Sequence, residues 1–277
     1  MLKQRLLTAF ILIPLVIWGI LQLSSPILAA MMGIFVIVGA WEWAGLAGWQ
    51  NEFIRYFYAT IVGLTLLLVY RLLLIYPQTI TFLLGLAVGW WLIAFYWVLR
   101  YQQGIILLPT SPWIKSLLGF FILLPGWSAL VTLHIQQSAN RPWLLWLLIL
   151  IWAADSAAYF TGKRWGKTKL ADKVSPGKTG EGVAGALLIS LVMAVSYAIF
   201  TTMTLSTLVM FTILCLLTVM ASILGDLLES LFKRQMGLKD SSQILPGHGG
   251  ILDRIDSITS AAPIFVIGLM GIGLMGM

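Results

Sequence analysis

Charge is what this sequence has least of. Only 10% of its 277 residues are Asp, Glu, Lys or Arg, against 60% hydrophobic residues, and the mean hydropathy is +0.97; such a balance excludes a soluble globular domain. Cysteine is almost missing as well. Cys215 is the single one, so no intrachain disulfide can form, and its place inside an apolar run marks it as core filling. No stretch is left over for a separate soluble domain, and no internal repeat is evident.

What is present is a series of apolar runs. Each is about 20 residues, long enough to cross a hydrocarbon layer of roughly 30 Å at about 1.5 Å per residue. The pattern predicts an all-α, polytopic integral membrane protein with about nine transmembrane helices, over residues 6–23, 26–46, 56–76, 80–99, 117–133, 143–161, 183–200, 205–226 and 258–276. An odd number of spans puts the termini on opposite sides. With the N-terminus cytoplasmic, 15 of the 17 Lys and Arg residues fall on that side. The exceptions are Arg141 in an outer loop and Arg71, close enough to a span end to snorkel. Topology thus accounts for the formal charge of +7, and no nucleic-acid partner is needed to explain it. Lys3 and Arg5 ahead of an apolar run could open a signal peptide, but the run is longer than a signal core and reads as a retained helix. Trp41, Trp43, Trp113 and Trp143, near span ends, read as interfacial belts.

The chain reads as a single membrane domain, 1–277, with two unequal halves. Residues 1–142 carry few polar groups, whereas eight of the ten carboxylates lie between Asp155 and Asp256. Glu42, within WEWAG, is the exception in the first half: it either lines a cavity or reaches the interface. His134 reads as an interfacial residue.

Four constellations follow in the second half. Asp155, Tyr159 and Gly162 share a helix face, and Asp155, about 18 Å along the helix from Trp143, lies too deep to face lipid. It should meet a cavity or another helix. Next comes a basic loop containing Ser175-Pro176-Gly177-Lys178-Thr179-Gly180-Glu181-Gly182. Small residues, hydroxyls and a lysine at a helix N-terminus suit phosphate. A P-loop is excluded, because the glycine it needs five residues before Gly177 is Asp172 and no βαβ unit surrounds it. In the eighth span, Ser222, Asp226, Glu229 and Lys233 share one face, with Ser230 beside it. Asp226 falls near the cytoplasmic boundary, within reach of a lipid headgroup, where oxygen ligands suit Mg²⁺ and its phosphate-bound substrates. Neutralisation of Lys233 and Arg234 is the blander alternative. Finally, Pro246-Gly247-His248-Gly249-Gly250 lets backbone amides approach a phosphate, and Asp253-Arg254-Ile255-Asp256 opens the last span. Separated acidic clusters among basic side chains are what metal-assisted nucleotidyl transfer requires.

These residues resemble the phosphatidate cytidylyltransferases, or CDP-diacylglycerol synthases. That family's signature is matched by Ser230, Lys233, Arg234, Lys239, Asp240, His248, Gly249, Gly250, Asp253, Arg254 and Asp256 without departure, and the upstream Asp155, Ser156, Tyr159, Gly162, Ser175 to Thr179, Glu181 and Gly182 also look like it. The resemblance implies that CTP and phosphatidate condense to CDP-diacylglycerol and pyrophosphate in phospholipid biosynthesis; the topology puts that chemistry at the cytoplasmic face, and compact size with the resemblance points to a bacterial plasma membrane. The resemblance also implies Mg²⁺ on Asp226 and Asp253, with room for a second cation. Asp226, Asp253, Lys233, Arg234 and Arg254 would be catalytic. Asp155, Ser175, Lys178, Thr179, Lys239, Asp240, His248, Gly249 and Gly250 would bind substrate, His248 by positioning phosphate rather than by proton transfer. The implied partners are CTP, phosphatidate and membrane lipid, and a homodimer is compatible with them. A phosphotransferase consuming a CDP-lipid ranks lower because its aspartate-rich motif is missing. A transporter using Asp155 and Asp226 ranks lower because of the long glycine-rich charged loops.

Overall fold

Several helix ends are set by local sequence signals. In the computed structural model, which describes residues 14–105, 108–136, 142–244 and 249–276, helix α1 covers residues 14–22. It is followed by α2 (Ser25–Ala47), α3 (Glu52–Ile75), α4 (Thr79–Gln102), α5 (Pro112–Ile135) and α6 (Trp143–Trp165). Strands β1 (Lys169–Ala171) and β2 (Ser175–Thr179) then lead into α7 (Gly180–Phe200), α8 (Leu205–Gln235) and α9 (Leu252–Gly271). Helix α2 stops at Gly48, whose φ of 107° suits the left-handed turn that closes a helix. The Asn51 side chain caps α3 by accepting from the Phe53 amide at 2.8 Å, and Thr204 caps α8 through the Thr207 amide at 3.3 Å.

Among the described residues, eight helices are long and apolar enough to cross a membrane. Residues 6–13 of the expected first span lie outside the described residues, and 14–22 form its visible part. Two boundaries differ from expectation in a way that matters. Helix α8 runs nine residues beyond 226, and α9 starts six residues before 258. The charged segment between the last two spans is therefore largely helical at both ends. The basic loop also differs from a simple helix N-terminus: β1 and β2 pair antiparallel, Lys169 opposite Thr179 and Ala171 opposite Ser175.

The bundle's interior is built around α5, buried over most of its length, with α8 against α9 and α6 against α7 as the most extensive helix pairs. Gly225 allows the α8–α9 approach, since a Cβ there would stand 2.3 Å from Ser260 Oγ and 2.5 Å from the Asp256 carbonyl oxygen. Large apolar side chains on α3 and α4, including Phe57, Leu64, Leu67, Phe82 and Leu92, are exposed, as a lipid-facing surface requires. Two tryptophans expected in interfacial belts are instead interior: Trp43 and Trp143 are each 1% exposed. Trp43 Nε1 donates to the Lys115 carbonyl at 2.8 Å, which gives the indole N–H the partner it needs to be buried. His134 is also interior rather than interfacial, with its two ring nitrogens against Ser25 Oγ at 2.9 Å and the Ile20 carbonyl at 3.1 Å. Cys215 is buried as expected.

Candidate active site

The end of α6, the hairpin, the start of α7 and α8 enclose a cleft of about 420 Å³, whose walls carry Asp155, Tyr159, Gly162, Lys178, Thr179 and Asp226. Lys178 Nζ stands 2.7 Å from Asp226 Oδ2, and Ser230 Oγ donates to Asp226 Oδ1 at 3.1 Å. Of the two surroundings expected for Asp155, a cavity or another helix, the structure shows the cavity: it lines this cleft, in electrostatic range of Lys178, Asp226 and Arg254. Local chemistry explains why the hairpin delivers Lys178 there. Thr179 accepts from the Gly182 amide at 3.1 Å and so caps α7. Glu181, in the first turn of that helix, receives the Thr168 amide at 3.1 Å and the Thr168 hydroxyl at 3.1 Å, while Lys169 Nζ donates to the Pro176 carbonyl at 2.6 Å. Lys178 is left pointing inward between these braces.

A second cluster lies deeper, where α8 meets α9. Lys233 Nζ is 2.5 Å from Asp253 Oδ1 and 3.4 Å from Glu229 Oε2. Asp253 Oδ2 receives the Ser241 amide at 3.0 Å, the Ser241 hydroxyl at 2.9 Å and the Gly250 amide at 2.7 Å. Glu229 is 3% exposed, and neither of its carboxylate oxygens accepts a hydrogen bond among the described residues. Asp256 is buried in electrostatic contact with both Glu229 and Asp226, and so links the deep cluster to the cleft. A cavity of about 10 Å³ beside Glu229 and Asp256 has room for about one water molecule. Glu229 was expected only as part of the α8 stripe; its burial came from α9 packing, which no local pattern encodes. Ser222, expected in the same stripe, spends its hydroxyl on the Val219 carbonyl at 2.8 Å.

The third component was not expected. Glu42 neither lines the cleft nor reaches the interface; it is fully buried beneath the start of α9. It receives the Ile251 amide at 3.0 Å, the Leu252 amide at 2.6 Å, and the hydroxyls of Ser241 at 3.2 Å and Ser242 at 2.5 Å. A carboxylate at a helix N-terminus satisfies orphan amides and complements the helix dipole. Gly250 is required here, because a Cβ would stand 2.0 Å from Ser241 Oγ and 2.5 Å from Glu42 Oε1. The signal available in the sequence was an acid amid an apolar span; its partners, some 200 residues away, were not legible.

The remaining expected residues surround these three groups. Arg234 directs Nε to the Val174 carbonyl at 3.2 Å and Nη1 to the Leu238 carbonyl at 3.1 Å, tying α8 to the hairpin and to the following loop. Arg254, Lys239 and Asp240 are exposed. Gly249 has a φ of 84°, a left-handed conformation open to glycine. Ser175 opens β2. His248, with Leu245, Pro246 and Gly247, lies outside the described residues.

The donor set is all oxygen, and carboxylates exceed ammonium groups: Asp155, Asp226, Glu229, Asp253 and Asp256 face Lys178 and Lys233, with Arg254 within range of Asp155. Among the described residues no three His, Cys, Asp or Glu side chains converge on one point. This composition fits Mg²⁺, which commonly takes one or two carboxylates and completes its shell with water and substrate phosphates. Glu229, whose oxygens accept no hydrogen bond among the described residues, has Lys233 Nζ at 3.4 Å as its nearest cation.

A sequence model described as the cytidylyltransferase family matches residues 3–270. The phosphatidate cytidylyltransferase of Pseudomonas aeruginosa is 43% identical over 273 residues, covering 99% of this chain and 98% of that protein. The phosphatidate cytidylyltransferase of Haemophilus influenzae is 40% identical over 280 residues, with 96% and 97% covered. That of Bacillus subtilis is 44% identical over 121 residues, or 44% of this chain and 45% of its own.

Proposed function

The chain belongs to the cytidylyltransferase family, and from that premise we propose that it transfers a cytidylyl group from CTP to phosphatidate, giving CDP-diacylglycerol and pyrophosphate. A phosphate oxygen of phosphatidate forms a bond to the α-phosphorus of CTP, while the bond from that phosphorus to the β-phosphate bridging oxygen breaks. Both reactants are anions, so the site must neutralise and align them more than it must move protons. The observation that carries the reading is the meeting of the Lys178–Asp226 cleft with the buried Lys233–Asp253 cluster at one end of the bundle.

In this reading Lys178, in the cleft, binds phosphate oxygens with Ser175 and Thr179 of the same hairpin. Arg254, Lys239, and the amides of Gly249 and Gly250 surround the second phosphate-bearing substrate with Asp240 and His248. Asp155 forms the cleft wall that separates the two. Lys233 keeps Asp253 oriented and Ser230 does the same for Asp226, while Arg234 braces the hairpin against α8. Asp226 and Asp253 would hold Mg²⁺, which when bound neutralises the triphosphate and the leaving pyrophosphate. The excess of buried carboxylates leaves room for a second cation.

Nine spans with the N-terminus inside would turn this end of the bundle to the cytoplasm, in a bacterial plasma membrane. The distribution of Lys and Arg supports that orientation, and the bacterial origin of the relatives supports that membrane. The direct test supplies the purified protein with CTP, phosphatidate and Mg²⁺. CDP-diacylglycerol and pyrophosphate are expected in equal amounts, with release stopped by EDTA and restored by added Mg²⁺. Failure to form either product would overturn the assignment.

A further inference from the structure

The first 142 residues contain two carboxylates. Glu52 pairs with Arg55 at 2.9 Å and is largely exposed, as a surface pair of little energetic weight. Glu42 is the opposite case: 0% exposed, with four donors, all from the segment between Ser241 and Leu252. A cap alone would need only the two amides. The Ser241 contact does something further, because Ser241 Oγ stands 3.2 Å from Glu42 Oε2 and 2.9 Å from Asp253 Oδ2. One hydroxyl hydrogen is thus set between two carboxylates, and the Ser241 amide points at the same Asp253 oxygen. Whatever holds Ser241 in place also holds Asp253 Oδ2, leaving Oδ1 as the oxygen turned toward Lys233.

We propose that Glu42 is a positioning residue for the reaction: by anchoring Ser241 and the first turn of α9, it fixes the Asp253 carboxylate in the orientation that holds the divalent cation. This rests on the proposed metal role of Asp253. Groups that orient a metal ligand act through the ligand's aim, so their loss weakens metal binding more than substrate binding. Mutation of such partners typically costs about 10- to 100-fold in metal affinity or activity.

The test compares Glu42→Gln, Glu42→Asp and Ser241→Ala with Asp253→Asn in the purified full-length protein. Calorimetric titration with Mg²⁺ alone reads affinity without turnover, and the Mg²⁺ concentration for half-maximal rate reads it again. Glu42→Gln keeps the shape but turns an amide against N–H and O–H donors, and about a 10- to 100-fold loss of Mg²⁺ affinity is expected. Excess Mg²⁺ should recover much of its kcat, with KM for CTP at saturating Mg²⁺ as in the wild type. Glu42→Asp should restore part of the affinity. Ser241→Ala leaves both amide contacts to Glu42 and decides the matter if the Glu42 variants do not fold: a smaller loss of Mg²⁺ affinity supports the proposal, wild-type affinity overturns it. Glu42→Gln with a lowered melting temperature and unchanged Mg²⁺ affinity would likewise reduce Glu42 to a structural cap. If Asp253→Asn itself binds Mg²⁺ as the wild type does, the metal assignment fails, and the positioning role fails with it.

Discussion

Asp226 and Asp253 each face one lysine ammonium, yet they sit in opposite surroundings. The Lys178–Asp226 pair is 25% and 36% exposed at the wall of an open cleft, whereas Lys233 and Asp253 are 9% and 6% exposed between two packed helices. An exposed pair is worth about 0–1 kcal/mol, because water and salt compete with it. A buried pair that loses one partner costs about 3–5 kcal/mol, since the other charge stays desolvated. In the proposed function the outer lysine would therefore be free to leave its carboxylate when a phosphate arrives. The inner one cannot do so cheaply, and its carboxylate has three further donors to keep it in place. One half of the proposed site would exchange partners; the other would serve as scaffold as well as ligand.

Replacing either carboxylate sharpens this comparison most. Asp226→Asn and Asp253→Asn should each lower kcat by about a thousandfold, near the upper range for removing one electrostatic group at a reacting centre. Only Asp253→Asn should also unfold at a lower temperature, because an amide leaves the donors around it mismatched. Equal melting temperatures would erase the distinction. The lysines come next. Lys233→Met should destabilise the detergent-solubilised protein by about 3–5 kcal/mol, while Lys178→Met should change stability by less than about 1 kcal/mol but raise KM for a phosphate-bearing substrate. Thermal unfolding beside steady-state kinetics separates the two; a stable Lys233→Met would break the assignment of that pair as scaffold. The smallest effect belongs to the hairpin. Thr179→Ala removes the cap of α7 and should cost about 1 kcal/mol, read as a modest fall in melting temperature with a larger loss in substrate affinity as Lys178 loses its brace.

Much of this was legible before any coordinates. Runs of apolar residues of membrane-crossing length have one stable solution in lipid, a helix that satisfies its own amides, so the helices fell close to where the sequence placed them. The spacing of Asp226, Glu229 and Lys233 put them on one face because helical periodicity is local. The misplaced residues share a physical cause. Trp43, Trp143 and His134 look interfacial by position along a span, but helix–helix packing buries them: a carbonyl or hydroxyl on a neighbour answers the polar atoms of Trp43 and His134, and Trp143 packs among Tyr197, Phe211 and Phe265. The hairpin at Lys169–Thr179 was hidden because its strands are short and charged, and its pairing is set by turn and cap contacts rather than by hydrophobic alternation.

By itself, then, the sequence determined that the protein is a membrane-embedded helical bundle with most of its carboxylates in the second half, because composition and periodicity act within a single helix. Which groups share a hydrogen or a charge was decided only by tertiary structure. Glu42 reaches Leu252 across 210 positions, and Lys178 reaches Asp226 from a hairpin in front of a different helix. Those contacts depend on the angle and depth at which helices pack, and on a glycine at position 250 that leaves space for a carboxylate. Periodicity along one helix carries no information about either.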